Sequence, residues 1–338
     1  MVYVSFVVPF YGVEKFIGQC LDSIYNQAVP ETEFEVICVD DCSPDHSRDI
    51  VLQYQAKHSN LSLIINQENL RLGGARNVGF NHAKGEYVWY IDSDDKIADN
   101  CLVEFIGLLK QYKPDILAFN FRRFNNDNKV IMEGKSHPQN KSCLPGISYI
   151  KQTWGTGYVY YIMGYVWSYL YRTQYLKTIH IDFPEKVLWE DTVYAPQALF
   201  EAEKVLSTDK IGYCYRVNSQ SITEIYNTSH PAEYIYQYAF VAGKDVMNFA
   251  PQIPKGELQD ACWLMVKRYF NSFVIDLMRT SHKERKRFYE MVHNNWNDLQ
   301  FVRPYLTVLS RCLFTRWHLW NLLAADILAG IYQIRPRS

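Results

Sequence analysis

The chain predicts an α/β protein: a doubly wound, mostly parallel sheet flanked by helices, followed by an all-helical C-terminal extension. Three observations carry this. Strand-like runs alternate with helical periodicity through about the first 120 residues. Those runs are almost continuously apolar, as expected of strands covered on both faces. From residue 231 onward apolar residues recur only at helical spacing.

The first strand is Val2-Tyr3-Val4-Ser5-Phe6-Val7-Val8, closed by Pro9. Residues 14–27 carry Phe16, Ile17, Cys20, Leu21, Ile24 and Tyr25 at helical spacing. A second strand, 34–39, ends in Asp40-Asp41, and Ser43-Pro44-Asp45 reads as a helix start with Ser as N-cap and Pro in the first turn. Residues 61–65 form a third strand; Gly73-Gly74-Ala75-Arg76-Asn77-Val78-Gly79 opens a short helix that Gly85 terminates. A helix built on Leu102, Phe105, Ile106 and Leu109 and a strand at 116–121 close this half.

Between them, Tyr87-Val88-Trp89-Tyr90-Ile91 is a buried strand that runs straight into Asp92-Ser93-Asp94-Asp95. Residues two apart on an extended chain point the same way, so Asp92 and Asp94 converge just past the strand end. In an open α/β sheet, ligands bind at that place. Two hard carboxylates with few other ligands suit Mg²⁺ or Mn²⁺ shared with a substrate's phosphates. The plainer alternative is an acidic turn capping the next helix.

Composition narrows the function. With 35 Lys and Arg against 36 Asp and Glu, the net charge of -1 points away from nucleic acid. Eight cysteines include no C-x-x-C pair, and no basic-then-apolar leader opens the sequence. A cytoplasmic protein with reduced thiols is therefore expected. No apolar run is long enough to span a bilayer. Two domains are expected, 1–230 and 231–338. A dinucleotide-binding sheet would need G-x-G-x-x-G after its first strand; Pro9-Phe10-Tyr11-Gly12-Val13 stands there with one glycine, so hydride transfer is excluded.

Four motifs in order resemble the family 2 glycosyltransferases, inverting enzymes of the GT-A fold that use nucleotide-activated sugars. They are Val7-Val8-Pro9-Phe10-Tyr11; Val39-Asp40-Asp41-Cys42-Ser43-Pro44-Asp45; Asn69 with Gly74-Ala75-Arg76-Asn77-Val78-Gly79; and Gly85-Glu86-Tyr87 with Asp92-Ser93-Asp94-Asp95. The resemblance implies that Asp41 accepts the ring N–H of a uracil, while Pro9 and Tyr11 wall the base and ribose. It implies that Asn69 and Arg76 sit at the ribose and diphosphate, where a guanidinium offers several donors. Asp92 would contact ribose or metal, and Asp94 would hold the Mg²⁺ or Mn²⁺ that bridges the phosphates. The chain departs from the family at Gly12, where Asn is usual, at Cys42, where Gly is usual, and at Arg71, where Gly is frequent.

The resemblance resumes near Trp167. In Trp189-Glu190-Asp191, it makes Asp191 the catalytic base. The reaction needs one, because an acceptor hydroxyl must lose its proton as it attacks the anomeric carbon. Attack opposite the leaving diphosphate inverts that centre, as in inverting glycosidases. An acid pair at a helix start also caps the helix, and both uses are compatible. Tyr213-Cys214-Tyr215-Arg216, followed by Ser221-Ile222, looks like a family loop whose Arg216 reaches the diphosphate on closure; a structural ion pair is the other use for Arg216.

Residues 158–167 are densely aromatic and suit either an acceptor platform or a half-buried core strand. The tail, 312–338, is aromatic, amphipathic and basic at its end. It can pack on the catalytic domain, form a homodimer or lie on the inner face of the plasma membrane, with packing ranked first. The sequence reading is thus a metal-dependent hexosyl- or N-acetylhexosaminyl-transferase. It moves sugar from a UDP-sugar to a saccharide or lipid-linked oligosaccharide, for polysaccharide assembly. A nucleotide-sugar-binding module without catalysis and a nucleotidylyltransferase are the rivals.

Overall fold

The structure is a computed structural model; it describes residues 1–134, 142–154, 165–185, 190–218, 230–236 and 277–306, with isolated positions between them. The chain divides into two compact units, Met1–Val217 and Asn218–Ser338.

In the first unit, β1 (Val4–Phe10), β2 (Phe34–Asp40), β3 (Leu61–Ile65) and β4 (Tyr87–Tyr90) alternate with α1 (Ile17–Tyr25), α2 (Ser47–Gln55) and α3 (Arg71–His82). These four strands are parallel, in spatial order β3-β2-β1-β4. β1 is buried along its whole length, which explains its unbroken apolar run. α3 packs tightly on β1 and β2 at Gly79, where an added Cβ would press into Val7 and Val39.

Beyond β4 the sheet changes character. β5 (Lys96–Ile97), α4 (Cys101–Tyr112), β6 (Ile116–Phe124), β7 (Val130–Gly134), α5 (Gly146–Trp154), β8 (Tyr169–Arg172), α6 (Thr173–Ile179), α7 (Asp191–Glu201) and β9 (Val205–Arg216) follow. β8 inserts between β4 and β6 and is antiparallel to both. β9 runs parallel to β6, and β5 and β7 add antiparallel pairs. Among the described residues the result is a mixed sheet of nine strands, whose antiparallel members β5, β7 and β8 all lie after β4.

Two local expectations shift. α2 begins at Ser47 instead of Ser43, because Ser43 N–H and Arg48 both bond the Asp40 carboxylate and hold residues 41–46 in an extended turn. α3 begins at Arg71, two residues before the expected glycine.

Among the described residues, many aromatic side chains are core. Phe6, Trp89, Phe105 and Phe119 pack as one cluster, and Trp167 stacks between Tyr165 and Tyr213 at centroid distances of 4.6 and 4.3 Å. Residues 158–164 of the aromatic stretch lie outside the described residues.

In the second unit, the longer described elements are helices, with a 3₁₀ turn at Gln300–Tyr305: α8 (Pro231–Tyr236), α9 (His282–Asn294) and α10 (Trp296–Leu299). Ser281 caps α9 by accepting from Glu284 N–H, and Arg287 pairs with Glu233 of α8. Lys283 and Lys286 of the same helix are exposed. Apart from Ala325, the tail 312–338 lies outside the described residues, and with it the dimer and membrane alternatives. Among the described residues, no helix is long and apolar enough to cross a membrane.

Candidate active site

The carboxyl ends of β1, β2 and β4 lie side by side, because Phe10 pairs with Asp40 and Val7 with Tyr90. The chain leaving each strand there carries a predicted site residue. Pro9 is buried in β1 opposite Val39, and Tyr11, just beyond the strand, is 53% exposed. An exposed tyrosine at a strand end is free to stack on a flat ligand.

Asp41 follows β2 and is buried. Its Oδ1 accepts from Asn66 Nδ2 and from Leu70 N–H, each at 2.8 Å. Asn69 donates through Nδ2 to the Asp41 carbonyl at 3.0 Å and accepts from Arg71 N–H through Oδ1 at 3.1 Å. The start of α3 thus grips one oxygen of the carboxylate, and Oδ2 is left for a further donor. Cys42 and Arg71 both have left-handed backbones, with φ of 67° and 61°. Glycine adopts that conformation without cost, and these are two positions where the resembling family carries it.

After β4 the Asp92-Ser93-Asp94-Asp95 turn gathers three carboxylates. Burial, then the neighbouring Asp92 charge, push the Asp94 carboxyl up to about 6, and burial raises Asp95 well above the usual range. Asp95 accepts from Arg216 N–H at 2.6 Å, and the Tyr213 hydroxyl accepts from Asp92 N–H at 3.1 Å. Among the described residues no lysine or arginine pairs with the Asp94 carboxylate. That surplus of negative charge fits a divalent cation shared with a ligand, and the residues present suit Mg²⁺ or Mn²⁺. Among the described residues no group of three or more His, Cys, Asp or Glu is placed to cage a metal unaided.

Arg216 lies beneath this turn. Its Nε donates to the Asp94 carbonyl at 2.7 Å, its Nη2 to Gln19 Oε1 at 2.8 Å, and its guanidinium sits between the rings of Phe16 and Phe124. Burial lowers its pKa despite Asp95 and Asp94. The sequence reading takes Arg216 to the diphosphate on loop closure; here it is bonded to protein groups.

Arg76 is likewise committed to protein. It is 1% exposed, donates through Nη2 to Asp92 Oδ1 at 2.7 Å and through Nη1 to Glu190 Oε1, and packs over Phe183. Burial opposes its charge, yet Asp92, Glu190 and Asp191 raise its pKa further above an already high value. This cation joins the end of β4 to the start of α7, where Asp191 is the first residue. Burial and the Glu190 charge push the Asp191 carboxyl well up, with Arg76 opposing. A half-buried carboxyl with a raised pKa is suited to accept a proton. Trp189 lies outside the described residues, as do residues 219–229 of the Arg216 loop.

The predicted residues therefore fall into three groups: Asp41 with Asn69 at the start of α3, Asp92 with Arg76 of the same helix and the Glu190-Asp191 pair, and Asp94 with Arg216. Glu190, Gln19, Asn66 and Tyr213 also belong here but were not among the expected site residues. Glu190 was visible as the neighbour of Asp191 and Tyr213 as part of the motif that ends in Arg216; Gln19 and Asn66 carry no local signal.

Residues 5–172 match the family model Glycosyl transferase family 2. The uncharacterized glycosyltransferase EpsJ of Bacillus subtilis (strain 168) is 31% identical over 224 residues, 66% of this chain and 63% of that protein. The poly(ribitol-phosphate) beta-N-acetylglucosaminyltransferase TarS of Staphylococcus aureus (strain Mu50 / ATCC 700699) is 31% identical over 217 residues, 62% of this chain and 35% of its own length. The chain thus spans less than two thirds of either relative. The crystal structure of S. aureus TarS 1-349 in complex with UDP-GlcNAc superposes with a TM-score of 0.67 at 21% identity, covering 98% of this chain and 92% of that one. The mannosyltransferase PcManGT from Pyrobaculum calidifontis, in complex with GDP-Man and Mn²⁺, superposes at 0.53 and 15% identity, covering 98% and 88%. The mixed sheet with its flanking helices is the fold of these structures, and residues 5–172 are a glycosyl transferase family 2 domain.

Proposed function

We propose that this chain is an inverting glycosyltransferase that moves a sugar from a UDP-sugar to a hydroxyl of a saccharide, polyol-phosphate or lipid-linked acceptor. The catalytic domain is assigned to residues 1–230 and the helical region to 231–338. The observation that carries the reading is the Arg76 bridge, which ties the strand-end carboxylate Asp92 to the Glu190-Asp191 pair. In this reading one buried cation links a carboxylate assigned to the metal with the pair that contains the assigned base.

Each residue has a definite task in that reaction. Asp41, with Oδ1 already fixed by two donors, offers Oδ2 to the ring N–H of uracil, and Pro9 and Tyr11 flank the base. UDP as the carrier is supported by the UDP-GlcNAc bound in the TarS crystal structure. A divalent cation held by Asp94 and Asp92 supplies positive charge to the departing diphosphate when bound. Asp191 takes the proton of the acceptor hydroxyl as its oxygen forms the bond to the anomeric carbon. The bond from that carbon to the diphosphate oxygen breaks on the opposite face, UDP leaves, and the configuration inverts. Arg76 and Arg216 act by holding Asp92, Glu190 and the 92–95 turn in place.

UDP release with a panel of UDP-sugars and acceptors tests this, comparing wild type with Asp191→Asn. Turnover that disappears in the variant while UDP still binds supports the assignment. Equal turnover in both removes the base, and UDP binding with no turnover for any pair favours a nucleotide-sugar-binding module.

A further inference from the structure

α3 presents one face to the segment that leads into Glu190 and Asp191. Gly73, Arg76, Asn77 and Phe80 recur at i, i+3, i+4 and i+7, so they form a single stripe along the helix. At Gly73 a Cβ would collide with the Pro184 carbonyl oxygen and press on Glu190. Arg76 pairs with Glu190 and has its guanidinium carbon 5.2 Å from the Phe183 ring centroid. Asn77 makes a two-point attachment. Its Nδ2 donates to the Phe183 carbonyl at 2.9 Å, and Phe183 N–H donates to its Oδ1 at 2.8 Å. Phe80 ends the stripe beside Ile181 and Asp182.

Phe183 belongs to no strand or helix, yet it is buried, so its backbone N–H and C=O need partners. One carboxamide supplies both, standing in for a strand edge. The Phe183 ring in turn stacks on Tyr194, with centroids 3.7 Å apart and planes 1° from parallel. Tyr194 lies on α7, three residues after Asp191.

We propose that Asn77 is a positioning residue for Asp191. It holds the 181–185 segment by its backbone at Phe183, and that segment, with the Phe183–Tyr194 stack, sets where α7 presents its first carboxylate. The inference rests on the reading of Asp191 as the base. Asn77 touches no reacting atom; it acts through Phe183.

The test is a double-mutant cycle on the full chain, with UDP release as the rate and UDP titration as the binding readout. Asn77→Ala is expected to lower kcat about 10- to 100-fold, the order of loss for a catalytic group displaced by about 1 Å, with Kd for UDP changed less than about twofold. In an Asp191→Asn background the same substitution is expected to cost less than about threefold, because no base remains to be misplaced. Equal losses in both backgrounds overturn the proposal, as does UDP affinity falling in step with kcat. Should Asn77→Ala fail to fold, Asn77→Asp keeps the acceptor for Phe183 N–H, loses the donor, and goes through the same cycle with the same criteria. Wild-type turnover in Asp191→Asn alone would instead remove the base assignment, a distinct result.

Discussion

Arg76 Nη2 donates to Asp92 Oδ1 at 2.7 Å, joining the helix after β3 to the turn after β4. The same guanidinium reaches Glu190, so one buried cation balances carboxylates from two different loops. A buried charge left without its counter-charge costs far more than the pair contributes.

Arg76→Met is therefore expected to destabilise the chain by about 3–5 kcal/mol, since the buried Glu190 and the half-buried Asp92 would be left without a cation. Chemical denaturation of both proteins measures this. A loss below about 1 kcal/mol would show that water reaches the two carboxylates in the folded state.

Asp191→Asn should reduce kcat by about 10²- to 10⁴-fold, the usual share of a positioned base. Its effect on UDP affinity should stay within about threefold, because the assigned base faces the acceptor. Steady-state UDP release and direct titration of UDP separate the two quantities.

Asp94→Asn removes one of the two charges assigned to the cation. Wild type should gain thermal midpoint with UDP and Mn²⁺ together beyond the gain with UDP and a chelator, since a ligand of the folded state raises its apparent stability. In the variant that difference should vanish. Chelation should likewise abolish turnover by wild type.

His137 makes one separable contribution to the pH dependence of stability. Its ring is buried, bonded through Nδ1 to the Tyr149 hydroxyl, and burial lowers its pKa to about 3. The unfolded chain has the ordinary value of about 6.5, so below that pH it binds the proton that the folded chain refuses. Stability tied to this residue is complete above about 6.5 and falls by up to about 1.4 kcal/mol per pH unit down to about 3. Urea midpoints from pH 7.5 to 5 should drop more steeply for wild type than for His137→Gln.

Arg71→Gly should raise stability by about 1 kcal/mol. The arginine holds a φ of 61° in which its Cβ is crowded, and glycine is not penalised there. The readout is the urea midpoint at unchanged m-value. Unchanged or lower stability would mean that the arginine side chain makes up for its own backbone strain.

Much of this protein could be read along the chain. Alternation of apolar runs with helical spacing identified β1 to β4 and their helices, and the position of Asp92 and Asp94 after β4 followed from the strand's length. Such features repeat within a few residues, so local periodicity records them. Asp41 and Asp191 were picked out by the family resemblance of the motifs around them, and each sits directly beside a strand end or a helix start.

What lies beyond that needed the folded chain. Arg76 meets Glu190 across 114 residues, Asn77 meets Phe183 across 106, and Arg216 bonds the 92–95 turn across more than 120. The insertion of β8 between β4 and β6 decides which loops face one another, and no pattern within β8 announces its neighbours. Short-range order sets which residues leave the strand ends. Strand order in space, chosen by the burial of whole faces, sets which of those side chains meet, and with it whether an arginine that suits a phosphate instead ties two loops together.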